Sequence, residues 1–141
     1  MYLENLKQEK LQHNINDYSI LSLAFVGDAV WSVYVRERLV REHTYKVKEL
    51  HKTTTQFVKA KSQSYIIQKL ELSEAEKEVV KRGRNTKTNN KAKNASEQDY
   101  KEATSFECLI GFLKLTDNFK RLNLILSNSY DIIIKDILEK K

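Results

Sequence analysis

Apolar residues recur every three or four positions along most of the chain, the period of helices packed on one side. Ile20, Leu23, Val26, Val30, Trp31, Tyr34 and Val35 predict a first long helix, starting near Asp17 or Ser19 and ending at about Glu42. Its apolar positions cover more than one stripe, so it is expected to be central and packed on several sides. After the break His43-Thr44-Tyr45, Leu50, Phe57, Ile66, Ile67 and Leu70 predict a second helix from about Lys46 to Leu70. Lys52, Lys59 and Lys61 face outward on it. Ser73 and Glu76 have capping-box spacing, which predicts a short helix from Glu74 to about Lys81. Ser96 is a candidate N-cap for a helix from Glu97 to Thr116 that buries Ala103, Phe106, Ile110 and Leu113. Asp117 or Asn118 caps a last helix whose inner face is Phe119, Leu122, Ile125, Leu126, Tyr130, Ile133, Ile134 and Ile137. The expectation is an all-α fold in one domain, residues 1–141, with no internal repeat and no linker.

Composition narrows this further. Proline is absent and glycine occurs three times, where average usage would give about seven and ten. An all-β fold needs both residues in its many turns and is excluded. With 40% apolar and 31% charged residues the chain is not a disordered segment. Its longest apolar stretch, Ile20 to Val26, falls far short of the ~18 residues of a membrane span. The opening MYLENLKQEK mixes Glu and Lys and has no apolar core of a secretory signal. A single cysteine, Cys108, forms no intrachain disulfide, and a cytoplasmic protein is expected.

The net charge of +6 has one source. Lys81 to Lys93 reads KRGRNTKTNNKAK and holds six basic residues and no acid. Removing those six from 25 leaves 19 basic groups against 19 acidic ones in the rest of the chain. The segment is also the least apolar one and lacks a helical period, so most of it reads as a loop. Such a segment suits a polyanion, since Arg and Lys release counterions from phosphates while Asn and Thr add hydrogen bonds. A solvated charged loop is the plainer alternative.

Two acids stand where a core would not choose them. Asp28 lies between LSLAFVG and AVW, and Glu107 lies inside TSFECLIGFL. Neither has a Lys or Arg within four positions to pair with on its own helix. A buried carboxylate is costly unless it is paired, hydrogen-bonded or bound to a metal. For each taken alone a solvent-facing or distantly paired acid is the plain alternative, but the glycines favour another reading. Gly27 adjoins Asp28, and Gly111 follows Glu107 by one turn. Glycine inside a helix costs about 1 kcal/mol against alanine, so two at these places imply a close backbone approach. The two helices are expected to cross there and bring the carboxylates together. Like charges would repel, and a hard divalent cation such as Mg²⁺ relieves that repulsion. Beside a phosphate-binding segment, this is equipment for phosphodiester hydrolysis.

LAFVGDAVW (Leu23 to Trp31) resembles the signature helix of the ribonuclease III family, and SFECLIGFLKL (Ser105 to Leu115) resembles its second acidic helix. The likeness covers nearly the whole chain. It is closest to the short branch called Mini-ribonuclease III, which LHKTTTQFVKAKSQSYII (Leu50 to Ile67) and KRGRNTK (Lys81 to Lys87) also resemble. That branch has the catalytic domain and no double-stranded RNA-binding domain. By position, Asp28 and Glu107 match the family's metal-site carboxylates. Larger members carry glutamates one and two turns before the aspartate, where this chain has Ala24 and Leu21. They carry an aspartate three residues before the glutamate, where this chain has Thr104, whose hydroxyl would hold a water ligand.

The resemblance implies a cytoplasmic homodimer that cuts opposite strands of double-stranded RNA with Mg²⁺, leaving 5′-phosphate and 3′-hydroxyl ends. Its implied substrate is the precursor of 23S ribosomal RNA in bacteria, with a ribosomal protein as a helper. Without an accessory domain, RNA affinity must come from this domain. Arg82, Arg84, Asn85, Lys87, Lys91 and Lys93 are the candidates for that, helped by Lys52, Lys59 and Lys61. The alternative is a helical RNA-binding or ribosome-associated module without catalysis, favoured by the missing acids at Leu21, Ala24 and Thr104. A DNA-binding helical protein ranks third, since it leaves Asp28 and Glu107 unexplained. His13, His43 and His51 have no metal-binding spacing, Cys108 is expected to be a packing thiol, and Trp31 to lie in the core or an interface.

Overall fold

The computed structural model describes residues 10–87 and 96–139. The described residues form six α-helices, α1 (Ile20–Glu42), α2 (Val47–Val58), α3 (Ala60–Lys69), α4 (Glu74–Asn85), α5 (Glu97–Leu115) and α6 (Phe119–Ile133). A short 3₁₀ turn, Ile15–Asp17, precedes α1, and a π-helical turn, Ile134–Leu138, continues α6. The described residues contain no strand, as expected. No helix among them is long and apolar enough to cross a membrane.

The predicted serine caps form, whereas Asn118 stands at the start of α6 without a side-chain cap hydrogen bond. The Ser19 hydroxyl accepts from the Leu21 amide at the start of α1, and Ser96 accepts from Asp99 at the start of α5. Ser73 and Glu76 complete a reciprocal capping box on α4. Glu76 is buried, and its carboxylate also takes two hydrogen bonds of 2.8 Å from Arg121 of α6, which hold it well below the usual carboxylate range. Its desolvation is thereby offset by charge and hydrogen bonds.

α5 is the hub, against which α1, α3, α4 and α6 all pack. Nine of its ten residues from Glu102 to Gly111 are buried, Glu107 alone being partly open. Trp31 of α1 is fully buried, meeting Phe106 edge-on at 5.3 Å, and Phe57 stacks on Tyr130 at 4.5 Å. These rings join α1, α2, α5 and α6 in one core.

Three expectations change. The central helix is α5, not α1, because α1 buries one side only. Leu21, Phe25, Val33 and Val40 of α1 are exposed, Phe25 by 83%. The helix expected from Lys46 to Leu70 is two helices, broken where Lys59 takes an extended backbone with ψ 153°. No Gly or Pro marks that break. It persists because every carbonyl of the last turn of α2 finds a donor. Thr55 O accepts from the Lys59 amide, Gln56 O from the Ser62 hydroxyl, Phe57 O from Trp31 Nε1 at 3.2 Å, and Val58 O from Gln63 Nε2 at 3.0 Å. Finally, α4 does not stop near Lys81 but runs to Asn85, so the first part of the basic segment is helix and not loop. Arg84 is ion-paired with the buried Glu102 of α5, and the Thr86 hydroxyl donates to Arg82 O at 2.7 Å, closing the last turn.

α1 and α5 cross at the two glycines. A β-carbon on Gly27 would overlap the carbonyl oxygen of Glu107 and lie 2.9 Å from the Gly111 nitrogen. One on Gly111 would overlap the carbonyl oxygen of Leu23. Backbone, not a movable side chain, occupies each place. Gly27→Ala and Gly111→Ala are therefore each expected to cost more than about 3 kcal/mol, a loss of roughly 10 °C or more in thermal midpoint. Circular dichroism melts check this; a shift under about 2 °C in either variant would contradict the close crossing.

Candidate active site

The crossing sets two carboxylates side by side. Gly27 presses α1 onto the backbone of Glu107 itself, so Asp28, the next residue, is delivered beside the Glu107 side chain. The two carboxyl groups are within hydrogen-bonding reach of one another. Glu107 is half-buried, and Asp28 is open to water. The exposure of Asp28 departs from the expectation of an acid inside the core. It sits at the edge of the α1–α5 contact, where its helix turns from the buried face to the open one.

Burial, followed by the Asp28 charge and the hydrogen bond that protonated Glu107 donates to Asp28, raises the Glu107 carboxyl from 4.5 to about 8, partly countered by the Gln63 side chain. Among the described residues neither acid is ion-paired with Lys or Arg. A pair of carboxyls with one open face and no cationic side chain has two ways to avoid repulsion, a shared proton or a cation. An oxygen-only donor pair facing water fits a hard divalent ion that keeps several waters of its own. Among the described residues no group of three or more His, Cys, Asp or Glu is arranged to hold a metal.

Thr104 is buried one turn before Glu107 and donates its hydroxyl proton to Tyr100 O at 3.0 Å. Its oxygen lone pairs are the part left to receive a water. Ala24 is buried and Leu21 exposed, and neither side chain carries an oxygen to replace the acids of the larger family members. Gln63 was not singled out by the sequence. It is 2% exposed, is held to Val58 O, and comes within hydrogen-bonding reach of Glu107. The only hint was its place in Ser62-Gln63-Ser64, three polar residues that all proved buried. Cys108, the neighbour of Glu107, is fully buried and donates to Ile20 O at 3.3 Å. Burial pushes its thiol up to about 12, which leaves a packing group with no thiolate.

The basic residues divide into three groups. Arg82, Asn85 and Thr86 line a concavity with Lys81, Glu78 and Ile20 between α4 and the start of α1. Arg84 is committed to Glu102, which also accepts from Gln98, and is the least free of the predicted phosphate contacts. Lys87 is exposed beyond the helix end, while Lys91 and Lys93 lie outside the described residues. On another face Lys59 and Lys61 line a hollow that meets, at Gln56, a second one lined by Lys46, Lys48 and Lys52. All five lysines are exposed, as predicted for Lys52, Lys59 and Lys61. His51 is exposed on α2.

The Glu107 shift carries a pH signature. In the folded, metal-free chain Glu107 keeps its proton up to about 8, whereas unfolded it ionises near 4.5. Its contribution to stability is fully present below the unfolded value and is lost as pH rises through the folded one. Thermal stability in EDTA is expected to decline between about pH 5 and 8.5 in the wild type. Most of that decline should vanish in Glu107→Gln. A variant that declines as steeply as the wild type would locate the titration elsewhere.

A model of the Ribonuclease III domain family matches residues 21–118 of the chain, which include both acids and both glycines of the crossing. The chain is 42% identical over 134 residues to the Mini-ribonuclease 3 of Thermoanaerobacter sp., covering 94% of each sequence. It is 44% identical over 124 residues to the Mini-ribonuclease 3 of Clostridium tetani, covering 86% of this chain and 82% of that one. The crystal structure of a Fusobacterium nucleatum protein superposes with a TM-score of 0.75 at 35% identity, over 86% of this chain and 96% of that one. The chain belongs to the ribonuclease III family of endoribonucleases.

Proposed function

We propose that this chain, acting as one domain over residues 1–141, is a Mg²⁺-dependent endoribonuclease that cleaves double-stranded RNA in the cytoplasm, with the precursor of 23S ribosomal RNA as its substrate. The observation that carries the reading is the Asp28–Glu107 pair, unneutralised by any described cation and open on the Asp28 side. Asp28 and Glu107 would hold the ion, with Thr104 Oγ1 orienting a water. When bound, it supplies charge neutralisation at the phosphate oxygens and acidifies a water. Water adds to phosphorus as the bond to the 3′ oxygen breaks, which leaves a 5′-phosphate and a 3′-hydroxyl.

An A-form duplex offers phosphates and 2′-hydroxyls along its minor groove rather than readable base edges. Arg82, Asn85 and Lys87 would grip that backbone, with Lys91 and Lys93 extending the same basic segment. Lys52, Lys59 and Lys61 supply a second line of charge. Arg84 contributes through the fold, by anchoring α4 on Glu102. Cutting both strands requires two sites, and the exposed Leu21, Phe25, Val33 and Val40 support a second copy as partner. They fall within about a third of the α1 circumference, an apolar stripe next to Asp28 that a homodimer would cover. A ribosomal protein helper would act by presenting the RNA.

An end-labelled, fully paired RNA incubated with Mg²⁺ or EDTA tests the proposal. Staggered cuts are expected with Mg²⁺ and wild type, and a loss of at least about 100-fold in Asp28→Asn with duplex affinity retained. Binding without cleavage of either this duplex or precursor ribosomal RNA would establish instead the non-catalytic RNA-binding module. Arg82→Gln with Lys87→Gln is expected to lower the slope of log affinity against log salt by about two. An unchanged slope would remove these residues from the phosphate contacts.

A further inference from the structure

Gln63 joins two features that nothing in the proposed chemistry connects. Its Nε2 donates to Val58 O, the final carbonyl of α2, at 3.0 Å. Its side chain also comes within hydrogen-bonding reach of the Glu107 carboxyl on α5. The residue is 2% exposed, so water does not compete for either contact. An amide nitrogen has two hydrogens to give, so one remains beside the one used on Val58 O.

The Lys59 break makes this geometry. Had α2 and α3 been one helix, the Val58 carbonyl would bond within the helix and need no side chain. Because Lys59 is extended, that carbonyl is free to fix the Gln63 amide, and α3 packs that side chain against α5. The neighbouring Ser62 hydroxyl satisfies Gln56 O but touches neither acid, so the two side chains at the break have different jobs.

The choice of an amide also matters. A Lys or Arg at this place would neutralise Glu107 and remove the charge that attracts a cation. A Leu or Met would leave the carboxylate without a fixed donor. An uncharged donor orients Glu107 while leaving its charge available, the role that outer-shell partners play around ligating carboxylates.

We infer that Gln63 is a positioning residue, which uses the interrupted end of α2 to fix the Glu107 carboxylate for the cation it shares with Asp28. The inference rests on the proposed two-carboxylate site. It predicts that losing the amide weakens cation binding even where the fold survives.

The test is Mn²⁺ affinity, from water-proton relaxation, in wild type, Gln63→Met, Gln63→Leu and Ser62→Ala, with duplex cleavage followed in parallel. Gln63→Met keeps the length of the side chain without its donors, and Gln63→Leu is the second choice should Met fail to fold. Ser62→Ala removes the other hydrogen bond of the break and reports the cost of loosening it. Mn²⁺ affinity is expected to fall about tenfold or more in the Gln63 variants and to stay within about twofold in Ser62→Ala. kcat is expected to fall with it, and the KM for duplex to hold. Gln63 variants within about twofold of wild type would overturn the inference, as would an equal loss in Ser62→Ala. A wild type that binds Mn²⁺ in this Gln63-dependent way yet cuts no duplex would leave the inference standing and refute the nuclease reading.

Discussion

Two helix backbones touch where α1 crosses α5, and most of the molecule follows from that contact. Gly27 lies on the carbonyl of Glu107 and Gly111 on the carbonyl of Leu23, so each helix supplies the gap that the other fills. With any larger residue the axes would separate by the width of a methyl group or more. The distance between Asp28 and Glu107 would grow by the same amount. The crossing costs about 1 kcal/mol per glycine in helix propensity. It also places two carboxyls together, so that in the metal-free chain Glu107 holds its proton at neutral pH. The strain sits where the chemistry is, and the surrounding core of Trp31, Phe57, Phe106 and Tyr130 offsets it.

Around the crossing, buried polar groups are paired with care. The last four carbonyls of α2 each have a named donor despite the break at Lys59. Glu76 and Glu102, both buried, are each matched by an arginine from another helix. No buried side-chain nitrogen or oxygen among the described residues lacks a partner. Against that background the Asp28–Glu107 pair stands apart, since it brings two acids together with no ion-paired base among the described residues. An arrangement that satisfies Glu76 and Glu102 so fully could have supplied a lysine here too. That it does not is the physical argument for an exogenous cation.

The sequence made much of this legible. Helical periodicity and the caps at Ser19, Ser73, Ser96 and Asn118 place five of the helix starts within a residue or two. The meeting of Asp28 and Glu107 was readable because glycines are rare and two of the three adjoin the acids. Other features were hidden for identifiable reasons. The break at Lys59 is made by side chains from Trp31, Ser62 and Gln63, and no local signal announces a long-range donor. α4 outruns its apolar pattern because Arg84 pairs with Glu102, 18 residues away. The apolar surplus of α1 looked like core on all sides, but Phe25 and its neighbours face outward. Periodicity cannot tell a second buried face from an uncovered one.

The central claim is that the glycine crossing makes a two-carboxylate cation site. An anomalous difference map from a crystal of the Mn²⁺-loaded protein tests it most directly, because it locates the ion independently of any activity. The account predicts a peak between the Asp28 and Glu107 carboxylates, with water completing its shell, and no peak there in Glu107→Gln. An ion bound elsewhere, or no peak at this pair at saturating Mn²⁺, would contradict it.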